Sequence, residues 1–582
     1  MDRITETYLG EFSNEHGLAR LNEAKRFEHF ACFSIVKQHH NIHFDTEDVV
    51  TGDGNADKEK GNQGGDTGID GIAIIVNGSL ITDIDVLEQY SSASGSLDVQ
   101  FIFVQAERSP SFSSSKIGDF GAGVVDFFSE SPKLSRNSRI ADAAEIQSKI
   151  YHLSSKFDKG NPSCKLYYVT NGKWVGDQHL QARIDIVKED LRSSVLFSSV
   201  DYIPVDAERL QTLYRQTRNA VSKTFNFPNK IAVGDIGGIK DAYIGFLPST
   251  EFVTLISRDS GEMLPGLFDS NVRDWHGYNE VNKEIQGTLK SNSSDMFVLM
   301  NNGITVIARK IVPSGNRLSI TDFQIVNGCQ TSHVLFDNRA LLTDKVMVPV
   351  RIIGTDDENV INAIVRATNR QTEVNEEQFF ALQEFPKQLE HYFQTFAEPN
   401  KKLYYERRMC QYDRLPIEKA RVITEPNVVR SFASMFLDDA HRTTRNYKSL
   451  RDKIGKEIFC KGHRLEPYYT AALAYYRLES LFRLRRIEPK YKPARFHILM
   501  AIRLMASKEP PPRTNSNAMA SYSEELLKIL WNQTEGEQLI LSAVDVVSAA
   551  AAGDFRRDSI RTEPFTKKVK AVAAAKASNV KS

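Results

Sequence analysis

The sequence predicts three units in series: an α/β unit over residues 1–215, a second α/β unit over 225–395, and a mostly α-helical region over 400–582. Three observations carry this prediction. The chain has 582 residues, and at roughly 150 per domain that length holds two to four domains. Apolar runs of strand length alternate with amphipathic helical stretches through the first two thirds of the chain, the rhythm of mixed α/β units. Beyond Pro399 helical periodicity takes over. With 41% apolar and 25% charged residues, the composition is globular and excludes wholesale disorder.

Taken in order, Leu21, Ala24, Ala31 and Ile35 recur at helical spacing, which predicts a helix over residues 18–39. Residues 51–68 form a polar, Gly/Asp-rich loop. Strands follow near 72–76 and over 99–107, where β-branched and aromatic residues concentrate. Helices are expected over 116–128 and 139–157, a strand over 165–171, a helix near 180–192 and a strand over 200–206. A helical connector near 207–224 leads into the second unit. There, 297–312, 318–328 and 346–354 read as strands, and 330–342 and 358–369 as helices. Helices at 468–486 and 495–505 are the clearest of the last region, and the Ala-rich, Lys-dotted end after Thr562 is expected to be a frayed helix or a tail.

Lysine plus arginine equals aspartate plus glutamate, 74 against 74, so total charge excludes no partner class. Its distribution is uneven. Residues 45–107 hold thirteen acidic and two basic side chains, residues 477–508 nine basic and two acidic, and residues 556–582 eight basic and two acidic. An acidic cluster in one region with basic surfaces in another is what a metal site acting on a polyanion needs. No run approaches the roughly 18 apolar residues that span a bilayer, so no membrane partner is expected. The first residues lack a secretory signal pattern, and Cys32, Cys164, Cys329, Cys410 and Cys460 form no CxxC pair. A reducing, cytoplasmic location is the expectation.

The most chemical stretch is GGDTGIDGIAI, residues 64–74, followed by FIFVQAER, residues 101–108. Asp70 stands where a glycine-rich loop enters a strand. Gln105 and Glu107 share one face of the next long strand, because side chains alternate with period two. If these strands are neighbours, the three side chains converge, and converging oxygen donors suit a hard cation such as Mg²⁺. Glu28 lies among Ala24, Ala31, Cys32 and Ile35 on the apolar face of the first helix, where a lone carboxylate is costly to bury. The plainer reading makes Asp70 a turn residue and Glu107 a strand-edge charge.

Asp70 in GIDGIAI followed by FVQAERS resembles the restriction-endonuclease-like, PD-(D/E)xK, core. In that core an Asp is followed by (Asp/Glu/Gln)-x-Lys on the next strand. The resemblance implies a metal-dependent nuclease in which Asp70 and Gln105 hold Mg²⁺ (or Mn²⁺), Glu107 occupies the lysine position as metal ligand or base, and Glu28 is the helping first-helix glutamate. Glu107 departs from the pattern and puts catalysis itself in question; Arg108 or Lys116 would have to supply the missing positive charge. A homodimer is implied by the same likeness.

The middle of the chain carries an ordered series: LPGLFDSNVRDWHG at 264–277, EVNKEI at 280–285, MFVLMNNGITVIA at 296–308, FQIVNGCQTSHVLF at 323–336, IVRATNRQTEVNEEQF at 364–379 and LYYERRMCQY at 403–412. The series resembles the AIPR family, bacterial proteins of abortive infection and phage resistance, over nearly residues 1–440. The resemblance implies antiviral defence, with nucleic acid (DNA first) and other defence proteins as partners. Asn327-Gly328 ends a strand, and Gln330 and Thr331 fall in the first turn of the next helix, whose exposed N–H groups suit phosphate. This turn is fainter in its likeness to ParB/sulfiredoxin-like domains, some of which bind nucleotides. Arg273, Asn302, Asn369 and Arg370 are expected at the same cleft. Two readings stand side by side here: a nucleotide or nucleic-acid pocket, or amides that form turns and caps.

Of the remaining residues, His39, His40 and His43 read as a solvated helix end, and Cys329 as a small turn filler. The segment 468–503 interleaves Tyr468, Tyr469, Tyr475 and Tyr476 with Arg477, Arg483, Lys492 and Arg495. It reads first as a core helix with a basic face and second as a nucleic-acid contact. The functional expectation is a defence nuclease that hydrolyses DNA and is regulated by its AIPR domain. The alternative is a catalytically inactive subunit that binds nucleic acid or a nucleotide.

Overall fold

The structure, a computed structural model, describes residues 1–40, 43–52, 68–93, 96–157, 160–218, 221–258, 261, 263–264, 267–268, 280–291, 293–368, 384–407, 411–412, 415–445, 447–507 and 509–579. The amino-terminal unit is a five-stranded sheet of β1 (Gly71–Val76), β2 (Ser79–Leu80), β3 (Val99–Glu107), β4 (Ser163–Thr170) and β5 (Ser199–Val205) in the order β2-β1-β3-β4-β5. β1 pairs antiparallel with β2 and β3, while β3, β4 and β5 run parallel. Parallel neighbours need crossovers, and helices Ser114–Phe127, Ser138–His152 and Gln178–Ser193 supply them.

Side-chain alternation splits the sheet into two apolar faces. Ala73, Ile75, Ile102, Val104 and Val169 pack against Phe27, Phe30 and Ile35 of helix Glu23–Val36 and against Tyr214 of helix Ala207–Arg218. Ile72, Ile74, Phe101, Phe103 and Leu166 pack against the crossover helices. The first long helix starts later than its periodicity predicts because Asn22 caps it, its side chain accepting from the Lys25 N–H at 2.9 Å. His40 does not end in solvent. It is buried, and its Nδ1 accepts from the Leu80 N–H at 3.3 Å, while His39 Nε2 lies 2.9 Å from the Tyr167 hydroxyl.

The middle unit is a six-stranded sheet in the order β6-β10-β9-β11-β8-β7, built from β6 (Ser222–Asn226), β7 (Asn229–Ala232), β8 (Asp241–Pro248), β9 (Ile304–Ser314), β10 (Arg317–Asn327) and β11 (Met347–Gly354). Three differences from the sequence expectation appear here. The helical connector ends at Arg218 and the chain turns into β6. β7 and β8 were not foreseen. Residues 297–300, read as strand, form a helical turn, Phe297–Met300. Short apolar runs do not separate the two periodicities.

The last unit is helical, with a small parallel pair, β12 (Tyr404–Glu406) and β13 (Val422–Thr424), at its entrance. The Tyr468 ring stacks on Phe432 at 3.9 Å, and its hydroxyl accepts from the Phe459 N–H at 2.9 Å. Tyr468, Tyr469 and Tyr476 are buried, so these aromatics are core. As far as the described residues run, the Ala-rich end is a packed helix: Glu563–Asn579 buries Phe565, Val569 and Ala573.

The amino-terminal and helical units meet through charge. Arg483 lies 3.1 Å from Asp45, Lys492 3.3 Å from Asp48, and Arg485 3.5 Å from Glu47. Burial opposes ionisation of Asp45, but Arg483 and Lys492 outweigh it and hold its carboxyl well below the ordinary range. Part of the acidic run and part of the basic segment thus neutralise each other inside the molecule.

Two outcomes follow from this packing. Phe30 contacts Phe12 at 5.5 Å and Tyr214 at 4.9 Å between ring centroids; Phe30→Ala is expected to cost about 3–5 kcal/mol in chemical denaturation. Burial holds the His40 imidazole down to about 4 from an ordinary 6.5. The unfolded chain therefore takes up its proton first as pH falls from 6.5 towards 4, and stability present above 6.5 is lost across that window. At about 1.4 kcal/mol per pKa unit this amounts to about 3 kcal/mol. Thermal melts should show the decline, and His40→Asn should flatten it.

Candidate functional site

Strands β1 and β3 are direct neighbours, with Gly71 opposite Val104. One further step of that register sets Asp70 opposite Gln105. The Asp70 N–H donates to the Val104 carbonyl at 2.9 Å, and its Oδ2 accepts from the Ala106 N–H at 2.8 Å. Gly71 permits this arrangement. A Cβ there would lie 2.4 Å from the Cys32 sulfur, so any larger residue would push helix Glu23–Val36 off the sheet. Burial, then Asp70 and Glu28, push the Cys32 thiol well above its usual range, which places both carboxylates near it and leaves the sulfur a packing group.

Gln105 is 5% exposed, and its Oε1 is buried without a hydrogen-bond partner among the described residues. Glu107, two residues on, is engaged differently. Its Oε1 lies 3.2 Å from Lys116 Nζ, and its Oε2 accepts from the Tyr168 hydroxyl at 3.0 Å. Of the two cations expected to replace the missing strand lysine, Lys116 therefore reaches the position, from helix Ser114–Phe127. Arg108 instead pairs with Glu23 at 2.7 Å. Glu28 comes from the helix on the opposite face of the sheet and pairs with Lys25 at 2.6 Å.

Asp70 and Gln105 are brought together; Glu107 and Glu28 flank them, each with a cation of its own. Among the described residues no group of three or more His, Cys, Asp or Glu side chains is placed to hold a metal ion. The donors that fit a hard cation are the Asp70 carboxylate and the Gln105 amide oxygen, which has no hydrogen-bond partner among the described residues. Mg²⁺ commonly takes only one or two carboxylates and keeps water for the rest of its shell.

At the middle site, Gly328 is the left-handed residue (φ +101) between β10 and helix Cys329–Asp337. A Cβ on it would meet Ile304 Cγ1 at 2.7 Å. Gln330 Oε1 accepts from Asn282 Nδ2 at 2.7 Å, and Asn327 Nδ2 donates to the Thr368 carbonyl. These amides fasten the turn to its neighbouring helices, which is the architectural reading. Thr331 and Cys329 are buried and Asn302 is exposed. Arg273, Asn369 and Arg370 lie outside the described residues.

Sequence reasoning missed a cavity of about 1580 Å³ bounded by the amino-terminal and helical units and helix Glu358–Thr368. Its lining includes Asp45, Glu47, Arg485, Lys492 and the motif residues Glu406 and Arg407. Arg407 pairs with Glu390 at 2.9 Å, and burial raises the neighbouring Glu425 carboxyl above its ordinary value. Only the YERR motif itself signalled this place, and no spacing rule joins it to the others.

Residues 268–551 match the family described as AIPR protein, which supports that family for this chain. The match takes in the second half of the middle sheet and the helices up to residue 551. It thus runs further towards the carboxyl end than the motif series suggested, and it does not include the unit that carries Asp70. No curated protein and no solved structure matches the chain.

Gly328→Ala is expected to destabilise the protein by roughly 2–3 kcal/mol, through its positive φ and the Ile304 contact. Gly78→Ala, at φ +80 with open space around it, is expected to cost about 1 kcal/mol. Parallel urea titrations check both.

Proposed function

We propose that this chain is a cytoplasmic abortive-infection defence protein whose amino-terminal unit hydrolyses phosphodiester bonds of DNA with Mg²⁺ (or Mn²⁺), under control of its AIPR region. The AIPR match supports the defence role. The single observation behind the hydrolytic role is the juxtaposition of Asp70 with a buried Gln105 amide oxygen that has no hydrogen-bond partner among the described residues. A buried polar atom without a protein partner is costly unless a water, an ion or a ligand satisfies it, and that supports this reading.

In this reading Asp70 and Gln105 would hold the ion, which would supply Lewis acidity and lower the pKa of a bound water. Glu107 would accept a proton from the attacking water, its carboxylate oriented by the Tyr168 hydroxyl and by Lys116. Lys116 stands in for the lysine missing from the strand. Glu28, paired with Lys25, would be the helping first-helix glutamate of the likeness. A homodimer and other defence proteins are the assemblies we infer. The turn at Asn327, Gly328, Gln330 and Thr331, with Asn302, Arg273, Asn369 and Arg370, is the proposed nucleotide or nucleic-acid contact of the ParB-like reading.

A second reading rests on Glu107 itself. A glutamate where the likeness requires lysine, already engaged by Lys116, suits a unit that binds nucleic acid or a nucleotide without cutting.

Supercoiled plasmid incubated with Mg²⁺ or Mn²⁺ separates the two. The parent is expected to nick, and Asp70→Ala and Glu107→Ala to lose at least roughly 100-fold of that rate. Cleavage persisting in both variants sinks the assigned site, and a parent that binds DNA without nicking it favours the second reading.

A further inference from the structure

The contact between residues 45–48 and the helical unit has the form of a ligand seated in a site. Three carboxylates lie along one short turn around the 3₁₀ segment Thr46–Asp48. They face four cations from the end of helix Glu466–Arg483 and the segment that follows it. Asp45 Oδ2 is 3.1 Å from Arg483 Nη1, Asp48 Oδ1 is 3.3 Å from Lys492 Nζ and 4.0 Å from Arg495 Nη2, and Glu47 Oε2 is 3.5 Å from Arg485 Nη2. Anions in a row against arginine forks and a lysine are the pattern of a phosphate chain.

One observation distinguishes this contact from a finished interface. Glu47 is 7% exposed, yet its Oε1 makes no hydrogen bond among the described residues, and the His29 Nε2 beside it stands 3.7 Å away. A buried acceptor left without a hydrogen bond weakens the closed arrangement relative to one that would use these cations fully. Beside the contact lies the cavity of about 1580 Å³, whose wall adds Lys490 and Arg556 and the rings of Tyr475 and Phe555. Cations interleaved with aromatic rings suit phosphates that carry bases.

We infer that Arg483, Arg485, Lys492 and Arg495 form a phosphate-chain site that the acidic turn of the amino-terminal unit occupies in this structure. A nucleoside polyphosphate or the backbone of single-stranded nucleic acid exchanges for Asp45, Glu47 and Asp48, and in doing so frees the amino-terminal unit from the helical one. The site concerns binding and release alone, and it stands whether or not Asp70 takes part in hydrolysis.

The test uses the full chain in a metal chelator, so that no cleavage intervenes, with a fluorescein-labelled single-stranded oligonucleotide read by anisotropy. Asp45→Asn/Asp48→Asn, which keeps shape and removes charge, is expected to bind about tenfold tighter than the parent, and Lys492→Gln/Arg495→Gln about tenfold weaker. Inorganic tripolyphosphate is the competitor. Displacement of the oligonucleotide identifies free polyphosphate as able to take the site, and binding that resists it identifies the nucleic-acid backbone; both support the site. A neutralised variant that binds no tighter than the parent overturns it. Should that variant fail to fold, hydrogen exchange of the parent decides. The amides of Asp48, Val49 and Val50, which donate within this turn, must lose protection when oligonucleotide or tripolyphosphate is added, and unchanged protection with both overturns the inference.

Discussion

The antiparallel ladder between β1 and β3 is the constraint on which the amino-terminal chemistry depends. Its register sets Asp70 across from Gln105, and a slip of one residue would send the whole apolar set of β1 to the wrong face. The register is held from both sides. Ile72 and Ile74 belong to the core under the crossover helices, and Ala73 and Ile75 to the core under helix Glu23–Val36. Gly71 lets that helix come close enough for Cys32 to touch the strand. A polar pair at the mouth of such a ladder is rigid because everything behind it is packed.

Charge is the second organising principle. The chain is neutral overall, 74 against 74, and much of that balance is struck between parts distant in sequence. Asp45 meets Arg483, Asp48 meets Lys492, and Arg503 and Lys570 share Asp438. Pairs with a buried cation, such as those of Arg483, Lys492 and Arg503, contribute little net stability against their desolvation, yet breaking one partner is expensive. They therefore choose which surfaces meet more than they hold them together. The apolar cores of the three units do the holding, and the ion pairs specify that the acidic turn sits against the helical unit.

The two amide-rich places of the molecule illustrate how similar residues serve different ends. In the middle unit Asn327 and Gln330 spend their side chains on neighbouring helices, and Gly328 is required by its backbone angle and by Ile304. In the amino-terminal unit Gln105 is as buried as any of them, but its oxygen has no such partner among the described residues. The difference lies in what surrounds the side chain.

Period-two alternation placed Gln105 and Glu107 on one face of a strand whose bounds match the expected ones, and apolar runs located β1, β4, β5, β10 and β11 to within a few residues. Helices with strong periodicity, such as Glu466–Arg483 and Arg495–Ala506, were equally legible. Local patterning decides these elements, because backbone hydrogen bonding and the burial of one face are set by neighbours a few residues away. β6 to β8 were not legible, since half-exposed strands lack a continuous apolar run, and Asn22 moved a helix start that periodicity alone put earlier. What tertiary structure alone decided is which charge faces which. Lys116 rather than Arg108 reaches Glu107, and residues more than four hundred apart in sequence close on one another at Asp45 and Arg483. Coulomb attraction acts through space, and only the packing of apolar faces determines which side chains are brought within its reach.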